Sequence, residues 1–360
     1  MRTPTLMDSN ELKGSRVKRI TGLVVLSLYF FILLFFAAPA SAQEQFYKGK
    51  TVRIVVGFAA GGGFDTYSRT IARRLGNHTP GNPTVIVENM TGAGSLIAAN
   101  HVFKVAKPDG LTIGHFIGGL FLGQVLGQKG VEFDARRFEY IGAPVKDHVV
   151  CAFTKASGIT SIEKWVASKT PVKMGGVAPG ASTPDNATRI LKEALGLPIQ
   201  LVSGYKGTSD IRLASESGEL AGGCWGWDSI SATWRKSLES GDALVVVQAA
   251  PKAHPDLPKV PLAINLAKTD EARHLIDVGI HADSEIVRTY TLPPATPKDR
   301  VQILRRAFFE TLRDPEFLAE AKKANLGVDP IHGEEAEKRI AALFKLDSTL
   351  VAKLKDILYR

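Results

Sequence analysis

The stretch VRIVVGFAAGGGFD, residues 52–65, decides the fold. Its first half, with Val52, Ile54, Val55 and Val56, is apolar and β-branched and reads as a buried strand. The run stops in Gly57-Phe58-Ala59-Ala60-Gly61-Gly62-Gly63. Asp65 then opens a segment with Tyr67, Ile71 and Leu75 at helical spacing, stopped by Gly76. That pattern predicts a helix with Asp65 as its N-cap and Gly76 as its C-cap. A strand, a glycine loop and a helix N-terminus in succession make an anion cradle, because backbone N–H groups and the positive end of the helix dipole point into the loop. The loop has no Lys after its glycines, so it is not a Walker loop, and its spacing does not fit G-x-G-x-x-G. Glu88 nonetheless ends the next predicted strand, 84–88, where a dinucleotide fold places its ribose acid. A dinucleotide-binding enzyme therefore stays open as an alternative, as does a tight βα turn without a ligand.

The N-terminus reads as an export signal. Lys13, Arg16, Lys18 and Arg19 precede the continuous apolar run 20–36, and Ala40-Ser41-Ala42 is a small-residue cleavage site before Gln43. Residues 1–42 are therefore expected to be a signal peptide cleaved after Ala42, and the mature protein to be periplasmic. Retention of the long apolar run as an anchor is the other outcome. The remaining 318 residues suffice for two domains. The full chain is formally +9, of which residues 1–42 carry a net +3. The rest of that charge is spread, with no basic run interleaved with aromatics, so nucleic acid is not an expected partner. A mildly basic exported protein suits a small anionic ligand.

Strands and helices alternate along the chain, which predicts an α/β fold with mostly parallel sheets. The segments 84–88, 111–115, 138–142 and 149–153 read as strands after the first. A second glycine loop, 89–94, leads to Ser95 as the cap of a helix carrying Ile97, Val102 and Phe103. A second set of units follows. Strand 172–174 runs into a loop ending in Ser182-Thr183-Pro184, where Thr183 as N-cap and Pro184 at the first helical position start a helix that ends at Gly196. Segments 199–202, 221–225 and 244–248 are further strands, a helix starts at Thr208 or Ser209, and 334–358 is helical. Glycine loops before helices thus occur in both halves, which points to two α/β lobes with a cleft between them.

An ordered set of motifs then carries a resemblance. These are residues 52–65 with GGGFD, Val87-Glu88-Asn89 followed by Gly92-Ala93-Gly94, Lys107-Pro108-Asp109-Gly110, and Tyr205-Lys206-Gly207. The segment 294–300 before a helix, with Asp314-Pro315-Glu316 after it, completes the set. In these the chain resembles the tripartite tricarboxylate transporter substrate-binding proteins, the extracytoplasmic receptors also called Bug, over essentially the whole mature chain. The resemblance implies a type 2 periplasmic-binding-protein fold: two α/β lobes, 43–145 with 281–360 and 146–280, joined by a hinge with an interlobe cleft. It implies no catalysis and no cofactor. It implies a small organic carboxylate as ligand, membrane transporter subunits as partners, and a monomer. Carried over by position, the first binding loop is Phe58, Ala59, Ala60, Gly61, Gly62, Gly63 and Asp65. The family's second-lobe Gly-x-Gly-Ser loop falls on 179–182, giving Gly180 and Ser182, with Ala181 in place of the second glycine. Where the family presents an Asp after a later strand, this chain has Trp225, with Asp228 three residues on. Two tryptophans there favour a larger or aromatic carboxylate, or pack in the core. The helix starts at Ser95 and Thr183 are expected to add donors. A receptor that signals without transport is a further alternative.

Other chemistries find little support. The eight His show no zinc-ligand spacing, so no metal site is expected. No G-x-S-x-G occurs. Lys206 reads as a solvated loop residue and Glu88 as a strand-end acid paired locally. Cys151 and Cys224 each lie in an apolar strand-like run; a disulfide and two buried free thiols both fit.

Overall fold

The strand read from residues 52–56 is β1, Thr51–Val56, exposed and buried in alternation at first and then buried throughout. In the computed structural model, which describes residues 46–359, it lies between β2 (Thr84–Asn89) and β3 (Thr112–His115), parallel to both. A strand with parallel neighbours on each side is covered by helices on its faces, which explains the continuous apolar stretch Ile54-Val55-Val56. Helix Gly63–Leu75 does this with Phe64, Tyr67, Ser68, Ile71 and Leu75, a single stripe at helical spacing, all buried. The proposed export signal and its cleavage site lie outside the described residues.

Two sheets result. The first has six strands in the order β11-β4-β10-β3-β1-β2, with β4 Glu139–Ala143, β10 Tyr290–Leu292 and β11 Ile331–His332. The second has five, β7-β6-β8-β5-β9, with β5 Val149–Thr154, β6 Val172–Gly175, β7 Ile199–Val202, β8 Gly222–Gly226 and β9 Ala243–Gln248. The chain crosses from the first sheet to the second through residues 144–148 and returns through 249–289. This is the two-lobe α/β architecture expected from the sequence.

The sheets are less parallel than the alternation predicts. β10 enters antiparallel between β3 and β4, and β5 is antiparallel to both β8 and β9. β10 has three residues, too few to display a period, and its partners are far away in sequence. The C-terminal helical region is two helices, Gly333–Leu343 and Ser348–Tyr359. The Asp347 carboxylate accepts from Thr349 and Leu350 N–H and starts the second. That last helix packs on helix Thr183–Leu195 of the second lobe. Cys151 and Cys224 stand directly opposite each other in the β5–β8 ladder and form a disulfide, with Cα atoms 4.0 Å apart.

Candidate functional site

The loop after β1 is built around Asp65, although not as a helix cap. The helix begins at Gly63, with Gly62 in the cap position. Asp65 lies within the first turn, and its Oδ2 accepts from the Gly61 N–H at 2.9 Å and from Arg69 Nε at 2.9 Å. Its Oδ1 accepts from Asn89 Nδ2 at 3.0 Å, and the same amide reaches the Phe58 carbonyl at 2.9 Å. Burial works against the Asp65 carboxylate, but Arg69, Gly61 and Asn89 outweigh it and hold its pKa below the ordinary value. Asp65 therefore shapes the loop from behind. Gly61 turns the chain at φ +77°, a region that favours glycine.

That arrangement leaves the start of helix Gly63–Leu75 without a side-chain cap. Two more helices of the second lobe share the feature. Thr183–Leu195 follows Ser182, and Thr208–Glu216 follows Gly207, neither with a side-chain cap. The three N-termini meet between the sheets around one cavity of about 30 Å³, lined by Phe58, Gly62, Gly63, Thr183, Thr208 and Trp225 among others. Such a volume holds a water or two. The lobes are drawn together here: Ser209 Oγ lies 3.5 Å from the Ala60 carbonyl, and Gly63 abuts Ser229.

The remaining residues picked out in the sequence lie around this cavity without lining it. Ala59, Ala60 and Gly61 form the loop's outer turn against Thr208–Glu216. Ser95 is the residue before helix Leu96–Lys104, in left-handed conformation at φ 70°. Its Oγ accepts from the Ile117 N–H at 3.1 Å instead of capping that helix. Gly180 packs under the ring of Tyr359. Ser182 precedes the helix where Thr183 was expected to, and its hydroxyl donates to Asp185. Asp185 also accepts from the N–H of Ala178 at 2.9 Å, from that of Val177, and from Ser203 Oγ. The N–H groups of Ala181 and Ser182 donate to the Ala178 carbonyl. Much of the second-lobe loop is thus satisfied internally. Asp228 is buried and accepts from the Gly327 N–H at 2.7 Å; burial raises its pKa. It lines a separate, open cleft of about 660 Å³ together with His148, His254 and His281. Glu88 is half exposed near Arg53, and Lys206 is exposed.

Trp225 lines the cavity and stacks on Trp234, ring centroids 5.9 Å apart, whereas Trp227 reaches Asp256 at 3.4 Å. Ser68 and His115 are hydrogen-bonded at 2.8 Å, with Tyr290 stacked on the imidazole, but all three are fully buried core. Burial, and then the nearby Arg288, pushes the His115 pKa well down, so its ring is neutral. Among the described residues, no group of three or more His, Cys, Asp or Glu is placed to hold a metal, and no helix is long and apolar enough to cross a membrane.

Among the wall residues that the sequence did not single out is one hydrogen-bonded set: Arg288, Asp147 and Ser229. Arg288 Nε donates to Asp147 Oδ1 at 2.7 Å and Nη2 to Ser229 Oγ at 2.7 Å. Burial opposes its charge, but Asp147 and its other neighbours raise its pKa, so it is a cation. The one available signal was an Arg inside the otherwise uncharged run 286–292, IVRTYTL.

The family model described as "Tripartite tricarboxylate transporter family receptor" matches residues 69–354. The UPF0065 protein of the TAR-I ttuE-ttuC' intergenic region of Agrobacterium vitis is 30% identical over 328 residues, covering 88% of this chain and 86% of that protein. A Bordetella bronchiseptica UPF0065 protein is 29% identical over 165 residues, so that match spans about half of it, 47%. Among solved structures, the periplasmic binding protein BugD superposes with TM-score 0.67 at 23% identity, covering 87% of this chain and 98% of BugD. MatC of Rhodopseudomonas palustris, solved with bound malate, superposes with TM-score 0.65 at 20% identity, covering 86% and 99%. With this fold and a family match spanning most of its length, the chain belongs to the tripartite tricarboxylate transporter receptor family, the Bug-type periplasmic solute receptors.

Proposed function

We propose that this protein captures a small organic acid between its two lobes in the periplasm and presents it to the membrane subunits of a tripartite transporter. One observation carries the reading: three helix N-termini, none with a side-chain cap, face the same interlobe cavity. Each brings unpaired N–H groups and about half a positive charge. A carboxylate leaving water needs donors aimed at it, and these supply them without a metal or a cofactor. In the proposed division, residues 43–145 with 281–360 form one lobe and 146–280 the other, the last helix reaching across onto the second. A ligand larger than the present cavity enters with the lobes apart and is enclosed when they close.

A thermal-shift screen of mono-, di- and tricarboxylates against their neutral amides tests this. An acid at 100 times its dissociation constant adds about 2.7 kcal/mol to stability, and its amide adds little. A neutral sugar as the best ligand, or binding that requires a divalent cation, would overturn it.

A further inference from the structure

Arg288 is 1% exposed and is fixed on two edges, by Asp147 at Nε and by Ser229 at Nη2. Its guanidinium lies 4.9 Å from the ring centroids of both Phe64 and Tyr67. The third nitrogen, Nη1, is buried and has no acceptor among the described residues. A guanidinium offers five N–H donors, and a buried charged donor left unpaired is strongly unfavourable. Two other donors are in the same condition: Thr183 Oγ1 and Trp225 Nε1 are buried and unpartnered among the described residues. Their residues are 6% and 2% exposed. The three come from separate parts of the chain, the return crossing before β10, the start of helix Thr183–Leu195, and β8. All three residues line the one interlobe cavity.

We propose that Arg288 Nη1, Thr183 Oγ1 and Trp225 Nε1 form a side-chain subsite that takes a carboxylate oxygen of the ligand directly. This rests on the reading of the cavity as the binding site and adds a formal cation to its backbone donors. Asp147 and Ser229 position the guanidinium, leaving Nη1 for the ligand. Because Arg288 also contacts Phe64 and Tyr67 of the first lobe and Ser229 of the second, the charge-reading group is the one that bridges the closed lobes. An acid that engages Nη1 therefore stabilises closure through a charge-assisted hydrogen bond, whereas the carbonyl of a neutral amide accepts the same bond without the charge pairing.

The experiment uses the mature chain with malate, succinate, citrate and adipate as probes, each beside its amide, followed by calorimetric titration of the acids that shift melting. Arg288→Gln combined with Asp147→Asn replaces the ion pair by a smaller neutral pair that can still hydrogen-bond. It is expected to fold with a normal circular dichroism spectrum, to lose acid affinity by more than about tenfold, and to discriminate poorly between acid and amide. Thr183→Val and Trp225→Phe, which remove neutral donors, are each expected to weaken the acid by about threefold or more. A folded double variant that binds acid as the wild type does overturns the subsite and leaves the cavity reading intact. If the double variant fails to fold, unchanged affinity in both single variants overturns it equally. A wild-type protein that takes none of the four acids overturns both this subsite and the carboxylate reading beneath it.

Discussion

Gly63 of the first lobe and Ser229 of the second touch with no room for a methyl group between them. A Cβ built on Gly63 would overlap the Ser229 hydroxyl and lie 2.6 Å from its Cβ. That hydroxyl accepts the Arg288 hydrogen bond. The first turn of helix Gly63–Leu75, the second-lobe wall and the buried cation thus meet at one point.

Gly63→Ala separates folding from closure. Residue 63 is helical, so alanine suits the open form, with a gain of up to about 1 kcal/mol. The closed form must move Ser229 or stay ajar. Melting without ligand is expected to be unchanged or raised, while acid affinity falls by about tenfold or more. Wild-type affinity in a variant of wild-type compactness, by small-angle scattering with saturating acid, would contradict this.

Gly62, by contrast, has an ordinary backbone conformation at φ −84°, and a Cβ there meets Thr208 Oγ1 at 3.4 Å. A valine at 62 is therefore expected to fold and to impair binding by filling the space in front of the helix start, without disturbing the loop. Chemical denaturation and titration of the same sample check both halves.

Asp185 holds the second-lobe loop by accepting from two backbone N–H groups and two serine hydroxyls. Asp185→Ala strands those donors and is expected to cost about 3 kcal/mol of stability. Ser182→Ala removes one donor to that carboxylate and is expected to cost about 1 kcal/mol. Urea denaturation of the two variants measures the ratio; a Ser182→Ala protein of wild-type stability but weakened binding would return Ser182 to the ligand.

The disulfide closes a loop with a sequence separation of 73. On the chain-entropy model its loss costs about 4 kcal/mol. Cys151→Ala with Cys224→Ala is expected to lower the melting temperature yet keep acid affinity within about threefold, because both side chains lie inside the second sheet and neither lines the cavity.

Asp283 is fully buried, and burial, followed by repulsion from Asp147, pushes its pKa up to about 7. The folded state therefore binds this proton more tightly than the unfolded chain does. Its stabilising effect is complete below about pH 4 and is lost as pH rises to about 7, by up to about 4 kcal/mol. Asp283→Asn is expected to melt higher than wild type at pH 8 and to lose that advantage at pH 4. His115, held neutral by burial, works in the opposite sense below about pH 6.5 in both proteins and cancels in the comparison. Parallel melting curves for the two proteins across this range would count against the assignment.

The sequence leads us to expect export with cleavage after Ala42, which would make Gln43 the first residue of the mature protein. Edman or mass-spectrometric sequencing of protein from the periplasm reads it directly, and retention of residues 20–36 would instead indicate an anchor.

Much of the architecture was legible in local pattern. The β-branched run before Gly57, the stripe Tyr67-Ile71-Leu75 and the strand 199–202 are short-range consequences of side-chain shape and spacing, which a sequence displays directly. The glycine loops before helix starts in both halves are legible in the same way; Phe58, Gly62, Gly63 and Thr183 belong to them, and Trp225 was singled out only by the family resemblance, and all five line the cavity. What local pattern could not determine was which polar groups are already engaged. Asp65 has the composition of a cap and Ser182 that of a ligand donor, but their hydrogen bonds to Gly61 and Asp185 follow from loop geometry. The cysteines carried no signal for pairing; the antiparallel register of β5 and β8 sets them face to face. Arg288 shows the same division most sharply. Its residue type is plain in the sequence, but its partners are Asp147, Ser229, Phe64 and Tyr67, drawn from both lobes and far along the chain. Only the return of the chain to the first sheet as β10 brings them around one guanidinium, because burial and charge pairing depend on distances in space that sequence separation does not encode.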